Sequence, residues 1–328
     1  MIQELYLYEA EGCDPYYNIA TEKYLLEHVP AEACILYLWQ NKNTVVIGRN
    51  QNAWAECRTT LLEEEGGKLA RRLSGGGAVY HDLGNLNFTF LVNEEDYDVD
   101  RQLSVIQTAL GSQGVQAEKS GRNDLLVEGR KFSGNAFFHR QGHAYHHGTL
   151  LVNADMTMLS RYLTPPKAKL ESKGVSSVRS RVANLTEFLP ELTCDSLRKH
   201  MADAFEKVYG HPCTRLQLPA EAQAEIETSA AQLSDWDWLY GPRQPFSFSC
   251  EDRFTWGSIQ LQLQVESGRV SQARLCSDSM DWELADRVSE CLPGCRFTLQ
   301  DMQAALRAGM TGDPACEDLC SLLEAQEI

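Results

Sequence analysis

Apolar side chains fall on every second residue from Leu86 to Val92 (Leu86, Phe88, Phe90, Val92), which predicts a strand with one apolar face. The same alternation at Ile259, Leu261, Leu263 and Val265, followed by Ser267-Gly268, predicts a hairpin over 258–275. Near-continuous apolar runs at 34–39 ("CILYLW") and 44–48 ("TVVIG") read as strands joined by the polar turn "QNKN", and further strands are predicted at 124–128, 131–138 and 143–152. Glu128-Gly129-Arg130 reads as the tight turn between the first two of these. Helical spacing marks 15–29, where Asp14-Pro15 supplies an N-cap and a first-turn proline, and 101–114, closed by glycine. It also marks 55–67, 195–209, 221–232, 281–291 and 298–308, and Asp155 is expected to cap a helix ended by Pro165-Pro166. Strands following one another through short turns, with helices interspersed, predict an α+β fold on a mainly antiparallel sheet with flanking helices.

The stretch "LYGPRQPFS" (239–247) has linker composition, and the pattern beyond it predicts a small C-terminal α/β unit. The 328 residues are therefore expected to form a larger domain over 1–245, which would hold the chemistry, and an accessory domain over 246–328. No apolar run reaches the roughly 20 residues of a membrane span, and the N-terminus lacks a signal-peptide pattern, so a cytoplasmic protein is expected. A net charge of −16 argues against nucleic-acid binding. The charge is uneven: residues 1–186 carry 19 Lys and Arg against 22 Asp and Glu, whereas 187–328 carry 11 against 24. The basic residues of the first part cluster at 68–72, 119–131 and 167–181, local cationic spots suited to a small anionic ligand. Eleven cysteines are scattered without a CxxC, and Cys291/Cys295 and Cys316/Cys320 lack a nearby histidine to complete a zinc set, so all read as free thiols.

Four stretches carry candidate chemistry. In "RRLSGGGAVYHDLGN" (71–85), three glycines follow two arginines and lead into a strand-like stretch; the motif is neither a P-loop nor a dinucleotide fingerprint. A bulge explains the glycines as well as an anion approaching bare amides does, and Arg71 and Arg72 favour the anion. In "SGRNDLLVEGRKFSGNAF" (120–137), Lys131 sits beside Ser133 and Gly134, and Asp124 across the hairpin could hold either a metal ion or the lysine. In "HAYHHGTLLV" (143–152), His146 and His147 point to opposite faces of a strand and cannot chelate one ion together, which leaves one histidine to line a pocket. The loop at 167–185 holds Lys167, Lys169, Lys173, Arg179 and Arg181 against Glu171, either a solvated basic loop or a lid over an anion.

Together and in this order, these stretches resemble the lipoate–protein ligase A family; "DPYYNIATE", "LWQNKNTVVIGRNQN", "KGVSSVRSRVANLTE" and, near the C-terminus, "EDRFTWG" extend the resemblance over nearly the whole chain. Leu73 departs from the small polar residue expected before Ser74. The resemblance implies a fold shared with biotin ligases, whose own glycine-arginine motif is absent here. It also implies an ATP-dependent reaction in which lipoate becomes lipoyl-AMP and the lipoyl group then passes to a lysine of a carrier domain. The carriers implied are E2 subunits of 2-oxoacid dehydrogenases and the glycine cleavage H protein. Lys131 is implied as the catalytic residue, touching both the carboxylate and the α-phosphate. Nucleotide or lipoyl-AMP contacts are implied for Arg72, Gly77, Ala78, Val79, Tyr80, Asp124, His147, Lys173 and Gly174, and lipoate contacts for Trp39, Ser74, Gly75, Gly76 and His81. Asp124 is the candidate for Mg2+, and a monomer is expected. Trp39 and the Leu86/Phe88 strand are candidates for an apolar slot, with core packing the competing role for the strand. Two rival functions remain at this level: a transferase that uses a preformed activated donor, and a lipoyl-binding module without catalysis.

Overall fold

The computed structural model describes residues 1–121, 124–164, 182–241 and 246–326. Internal contacts divide the chain into two compact units, one of Met1–Val46, Glu56–Arg71 and Val79–Leu239, the other of Ile47–Ala55, Arg72–Ala78 and Tyr240–Ile328. Among the described residues no helix is long and apolar enough to cross a membrane.

The first unit is built on an eight-stranded sheet. Strand β1 (Glu4–Glu9) leads through helix α1 (Pro15–Glu27) to β2 (Ala33–Trp39), and the helical crossover makes β1 and β2 parallel. Helix α1 begins where expected: the Asp14 carboxylate accepts the amides of Tyr16 and Tyr17, and Pro15 occupies the first turn. Strands β3 (Thr44–Ile47), β4 (Lys68–Arg71) and β5 (Val79–His81) form a separate small sheet in the order β4-β3-β5. The turn at 40–43 therefore passes the chain from one sheet to another rather than closing a hairpin. The helix expected over 55–67 is two short pieces, α2 (Ala53–Glu56) and α3 (Thr59–Glu64), because Cys57 between them bridges to Leu163.

The large sheet continues with β6 (Asn85–Asn93), helix α4 (Val99–Gly111), β7 (Glu118–Ser120), β8 (Asp124–Val127), β9 (Arg130–Arg140) and β10 (His143–Leu151). After α5 (Met156–Tyr162), capped by Asp155, come α6 (Cys194–Tyr209), β11 (Cys213–Arg215), α7 (Ala220–Leu233) and α8 (Trp236–Tyr240). The strand order is β11-β1-β2-β6-β10-β9-β8-β7, parallel at its β11-β1-β2 edge and antiparallel from β2 onward, which is the mainly antiparallel α+β class expected. On one face Leu36, Leu38, Phe88 and Phe90 pack with Ile106 and Leu110 of α4 and Met201 and Phe205 of α6. On the other, α1 lies against β2, β6 and β10. Leu86 and Phe88 are thus core residues, not the walls of a slot.

In the second unit β12 (Phe248–Phe254), β13 (Gly257–Glu266) and β14 (Arg269–Ser277) form an antiparallel meander, with Ser267 and Gly268 at positive φ in the expected turn. Ile259, Leu261 and Leu263 face helices α9 (Leu284–Cys291), α10 (Leu299–Gly309) and α11 (Cys316–Glu324). Segments 47–55 and 72–78 belong to this unit: the Ser277 amide donates to the Asn50 carbonyl (2.9 Å), and Arg49 lies over the Trp282 ring.

A polar group is buried in the first unit's core. His146 is fully buried among the rings of Phe88, Phe90 and Phe137. Its Nε2 lies 2.8 Å from Asn135 Oδ1 and its Nδ1 3.1 Å from the atom placed as Gln102 Oε1. A neutral ring donates from Nε2 and accepts at Nδ1, which requires the Gln102 NH2 group to face it; that orientation also provides for Gln102 Nε2, otherwise a buried donor with no acceptor. Burial first, then His147 and Lys119, push the His146 pKa down to about 3. The unfolded chain takes up this proton near pH 6.5 and the folded chain only near 3, so this contribution to stability is intact above pH 6.5 and lost as the pH falls. Between pH 7 and 5 this one group is expected to cost about 2 kcal/mol. Denaturant titrations at the two pH values should show a smaller loss for His146→Gln than for the unmodified protein; equal losses would remove His146 as the cause.

Candidate active site

Sheet register sets out a transverse row of side chains on the α1 face. Trp39 pairs with Asn87, Asn87 with Thr149, and Asp124 with Gly134. The Gly134 amide donates to Thr149 Oγ1 (3.3 Å), which closes the row across β2, β6, β10, β9 and β8. Four strand spacings make it about 19 Å long. Trp39 and Asn87 are buried, whereas Thr149, Gly134 and Asp124 are half-exposed, so the row runs from a closed aromatic end to an open polar end.

Lys131 stands at the open end. Its Nζ lies 2.6 Å from Asp124 Oδ1, and both side chains are about one third exposed (36% and 35%). A Cβ at Gly134 would come within 3.1 Å of that ammonium, so the glycine leaves the cation room to lie along the strand. The backbone is also engaged: Ala183 donates its amide to the Lys131 carbonyl (2.8 Å), and Val182 bridges to Lys131. The chain thus re-enters the described structure beside Lys131. Lys173 and Gly174, with every basic residue of the 167–185 loop, lie outside the described residues.

Around the closed end the polar groups form a chain. Trp39 Nε1 donates to Thr89 Oγ1 (3.1 Å), the Thr89 hydroxyl donates to Glu22 Oε1 (2.7 Å), and His147 Nδ1 lies 2.7 Å from the same oxygen. Glu22 is fully buried, and its Oε2 has no hydrogen-bond partner among the described residues. His147 faces α1 while His146 faces the core, as alternation on a strand requires. His81 joins the cluster from β5: its ring meets the Trp39 ring edge-on at 6.2 Å, and its Nδ1 lies 3.2 Å from Asn41 Nδ2 and 3.5 Å from Asn87 Nδ2. Trp39, His81, His147, Asp124 and Lys131 are therefore on one face of one unit. Tyr80 is set apart: its hydroxyl donates to Asn43 (3.2 Å), its ring lies against Tyr162, and burial pushes its pKa up to about 12. Val79 pairs with Val46 in the small sheet.

The glycine loop is part of the second unit. Arg72 is buried and aims its guanidinium at the loop itself, donating to the carbonyls of Gly75 (2.7 Å) and Gly77 (2.8 Å) and to Ser74 Oγ (3.1 Å). Arg71, in the first unit, donates to the Trp238 carbonyl (2.8 Å) and the Leu239 carbonyl. The three glycines differ in what they serve. A Cβ on Gly75 would strike the carbonyls of Ser279 and Met280, and Gly76, at φ +91°, donates its amide to the Ser279 carbonyl (2.9 Å). Gly77 has open space where its side chain would be, and it is exposed. Packing explains the first two glycines and not the third.

Sequence reasoning missed Glu22, Asn87 and Thr89. The signal for the last two was present: in "NLNFTF" the polar residues alternate as regularly as the apolar ones, so the second face of β6 is a polar row. Glu22 carries no such mark, because only the packing of α1 buries it.

Two family descriptions cover the chain. The lipoyl protein ligase A/B catalytic domain matches residues 14–206, and the bacterial lipoate protein ligase C-terminus matches residues 243–322. Among solved structures, P. falciparum LipL1 in complex with lipoate is 28% identical, with 98% of this chain and 100% of that one covered and a TM-score of 0.84. A bi-partite lipoate protein ligase from Thermoplasma acidophilum, described together with its E2 lipoyl domain, is 27% identical over 76% of this chain and 100% of that one (TM-score 0.66). Lipoate-protein ligase A bound with ATP is 26% identical over 74% and 99% (TM-score 0.64). With the catalytic-domain description matching more than half of its length, the chain belongs to the lipoyl protein ligase A/B family and carries the C-terminal domain of bacterial lipoate protein ligases.

Proposed function

We propose that this protein is an ATP-dependent lipoate–protein ligase. In the first step a lipoate carboxylate oxygen attacks the α-phosphorus of ATP, the bond to the bridging oxygen breaks, and pyrophosphate leaves. In the second, the amine of a carrier-domain lysine attacks the carbonyl of lipoyl-AMP, loses a proton and expels AMP. The observation that carries this reading is the row from Trp39 to Lys131: a closed aromatic end suits the apolar dithiolane, and an open end with a paired ammonium suits the carboxylate. Two anions must meet for the first step, and a compact cation between them offsets their repulsion. Lys131 is that cation if it exchanges Asp124 for the incoming oxygens.

Arg72, Gly77, Ala78, Val79 and Tyr80 are assigned to the nucleotide on family resemblance, with Gly77 further supported by the open space at its Cα. His147 is placed on the same face as Trp39 and Lys131, which fits contact with lipoyl-AMP. Ser74, Gly75, Gly76 and His81 are assigned to lipoate. ATP would bring Mg2+, which commonly binds through one or two carboxylates and substrate phosphates. Asp124 is a single carboxylate at the open end and fits that mode, though not a closed protein cage. The carriers are proposed to be lipoyl domains of E2 subunits and the H protein, met by a cytoplasmic monomer with a catalytic domain over 1–245 and an accessory domain over 246–328.

Three outcomes are expected. Lys131→Ala should lower pyrophosphate release on the order of a hundredfold, about 3 kcal/mol of transition-state stabilisation, with an unchanged circular-dichroism spectrum. Near-normal release by the folded variant would remove Lys131 from the chemistry. Second, the unmodified protein should release pyrophosphate from ATP with lipoate and magnesium, and should also modify a carrier when given lipoyl-AMP. Modification without pyrophosphate release would identify a transferase instead, and neither reaction a binding module. Third, Gly77→Ala should melt close to the unmodified protein while raising the KM for ATP about tenfold, whereas Gly75→Ala should lose about 1–3 kcal/mol of stability through its clash with Ser279 and Met280. Equal melting points for the two glycine variants would contradict the division drawn between them.

A further inference from the structure

We propose that Cys316, Cys320 and the Glu317 carboxylate form a binding site for a thiophilic divalent cation of the zinc class. Helix α11 places the two cysteines one turn apart on its buried side and Glu317 at its exposed margin, and one ligand atom from each lies within 4.8 Å of the others. Among the described residues this is the one group of three potential metal ligands so arranged.

The spacing suits a cation better than a disulfide. Residues four apart on a helix have Cβ atoms about 5–6 Å apart, whereas a disulfide needs them at about 3.5–4.5 Å. Joining the two sulfurs directly would unwind the helix. Two bonds of about 2.3 Å to a shared tetrahedral ion hold sulfurs roughly 4 Å apart and leave the helix intact. The charges also close. Two thiolates and a carboxylate carry three negative charges, and a dication together with Arg307 carries three positive ones. Arg307 already holds the carboxylate, with Nε 2.9 Å from Glu317 Oε1 and Nη2 3.0 Å from Oε2. Each oxygen gives one lone pair to arginine and keeps another, the outer hydrogen bonding common for a ligating carboxylate.

A third thiol lies close by. Cys291, at the end of α9, packs against the same core as Cys316, and a side chain on Gly309 would run into its sulfur. A water completes a four-coordinate shell, so no histidine is needed. Because three ligands from one intact helix turn are needed, the cation should favour the folded unit, and occupancy should raise stability by mass action.

The probe is Co2+, added to the full reduced chain, followed by displacement with Zn2+. One equivalent should give thiolate-to-cobalt charge-transfer absorption with tetrahedral d–d bands, abolished by Zn2+ and by Cys316→Ser/Cys320→Ser, and retained in Cys13→Ser. Glu317→Gln, an exposed change that leaves both thiols in place, should weaken Co2+ binding on the order of tenfold. Absence of the charge-transfer band in the reduced protein, its persistence in the double variant, or Co2+ binding unchanged by Glu317→Gln would overturn the proposal.

Discussion

The first unit depends on a strand that is buried on both faces. Strand β6 cannot turn either side to water, because α4 and α6 cover one and α1 the other. Its apolar face, Leu86, Phe88, Phe90 and Val92, supplies the driving force of burial. Its polar face, Asn85, Asn87 and Thr89, is tolerable only because each side chain finds a partner: Asn85 donates to Asn87, Asn87 reaches His81, and Thr89 bridges Trp39 and Glu22. A one-residue slip of register would exchange the two faces and put amides into the core. The constraint that holds the strand in place therefore also sets the distances between Trp39, His147 and Lys131.

Depth separates the two hydrogen-bonded pairs on this face. Glu22 and His147 are buried and hydrogen-bonded at 2.7 Å, so removing either deprives a buried polar group of a partner. Lys131 and Asp124 are partly exposed, where water screens an ion pair and separating it costs little. The buried pair is suited to holding a position and the outer pair to exchanging partners. His146, on the opposite face of the same strand, obeys the same logic in a third way: without a carboxylate to offset burial it stays neutral and is held by two amides.

The glycine loop illustrates how one motif answers two demands. Gly75 and Gly76 let the chain at Ser279 and Met280 approach backbone to backbone, and Arg72 then ties the loop's carbonyls together from within. Gly77 meets no such neighbour. A run of three glycines in the sequence looks uniform, yet two are accounted for by the protein's own packing and the third is left facing open space.

From the residues alone, the α+β class, the boundaries of α1, β6 and β10, the 258–275 hairpin and the opposite orientation of His146 and His147 could be read. All of these rest on short-range rules: caps, two-residue alternation and turn glycines act over a few positions. The small separate sheet, the break between α2 and α3, and the membership of 47–55 and 72–78 in the second unit could not be read, because each follows from contacts between residues far apart in the chain. The same division holds in the site. Lys131 and the glycines stood out because unusual residues cluster there, whereas Glu22 looked like any helix carboxylate until α1 packed it against Thr89 and His147. Residue type and spacing determined which groups are available; the register of five strands and the burial of one helix decided which of them meet, since distance and desolvation are properties of the folded chain.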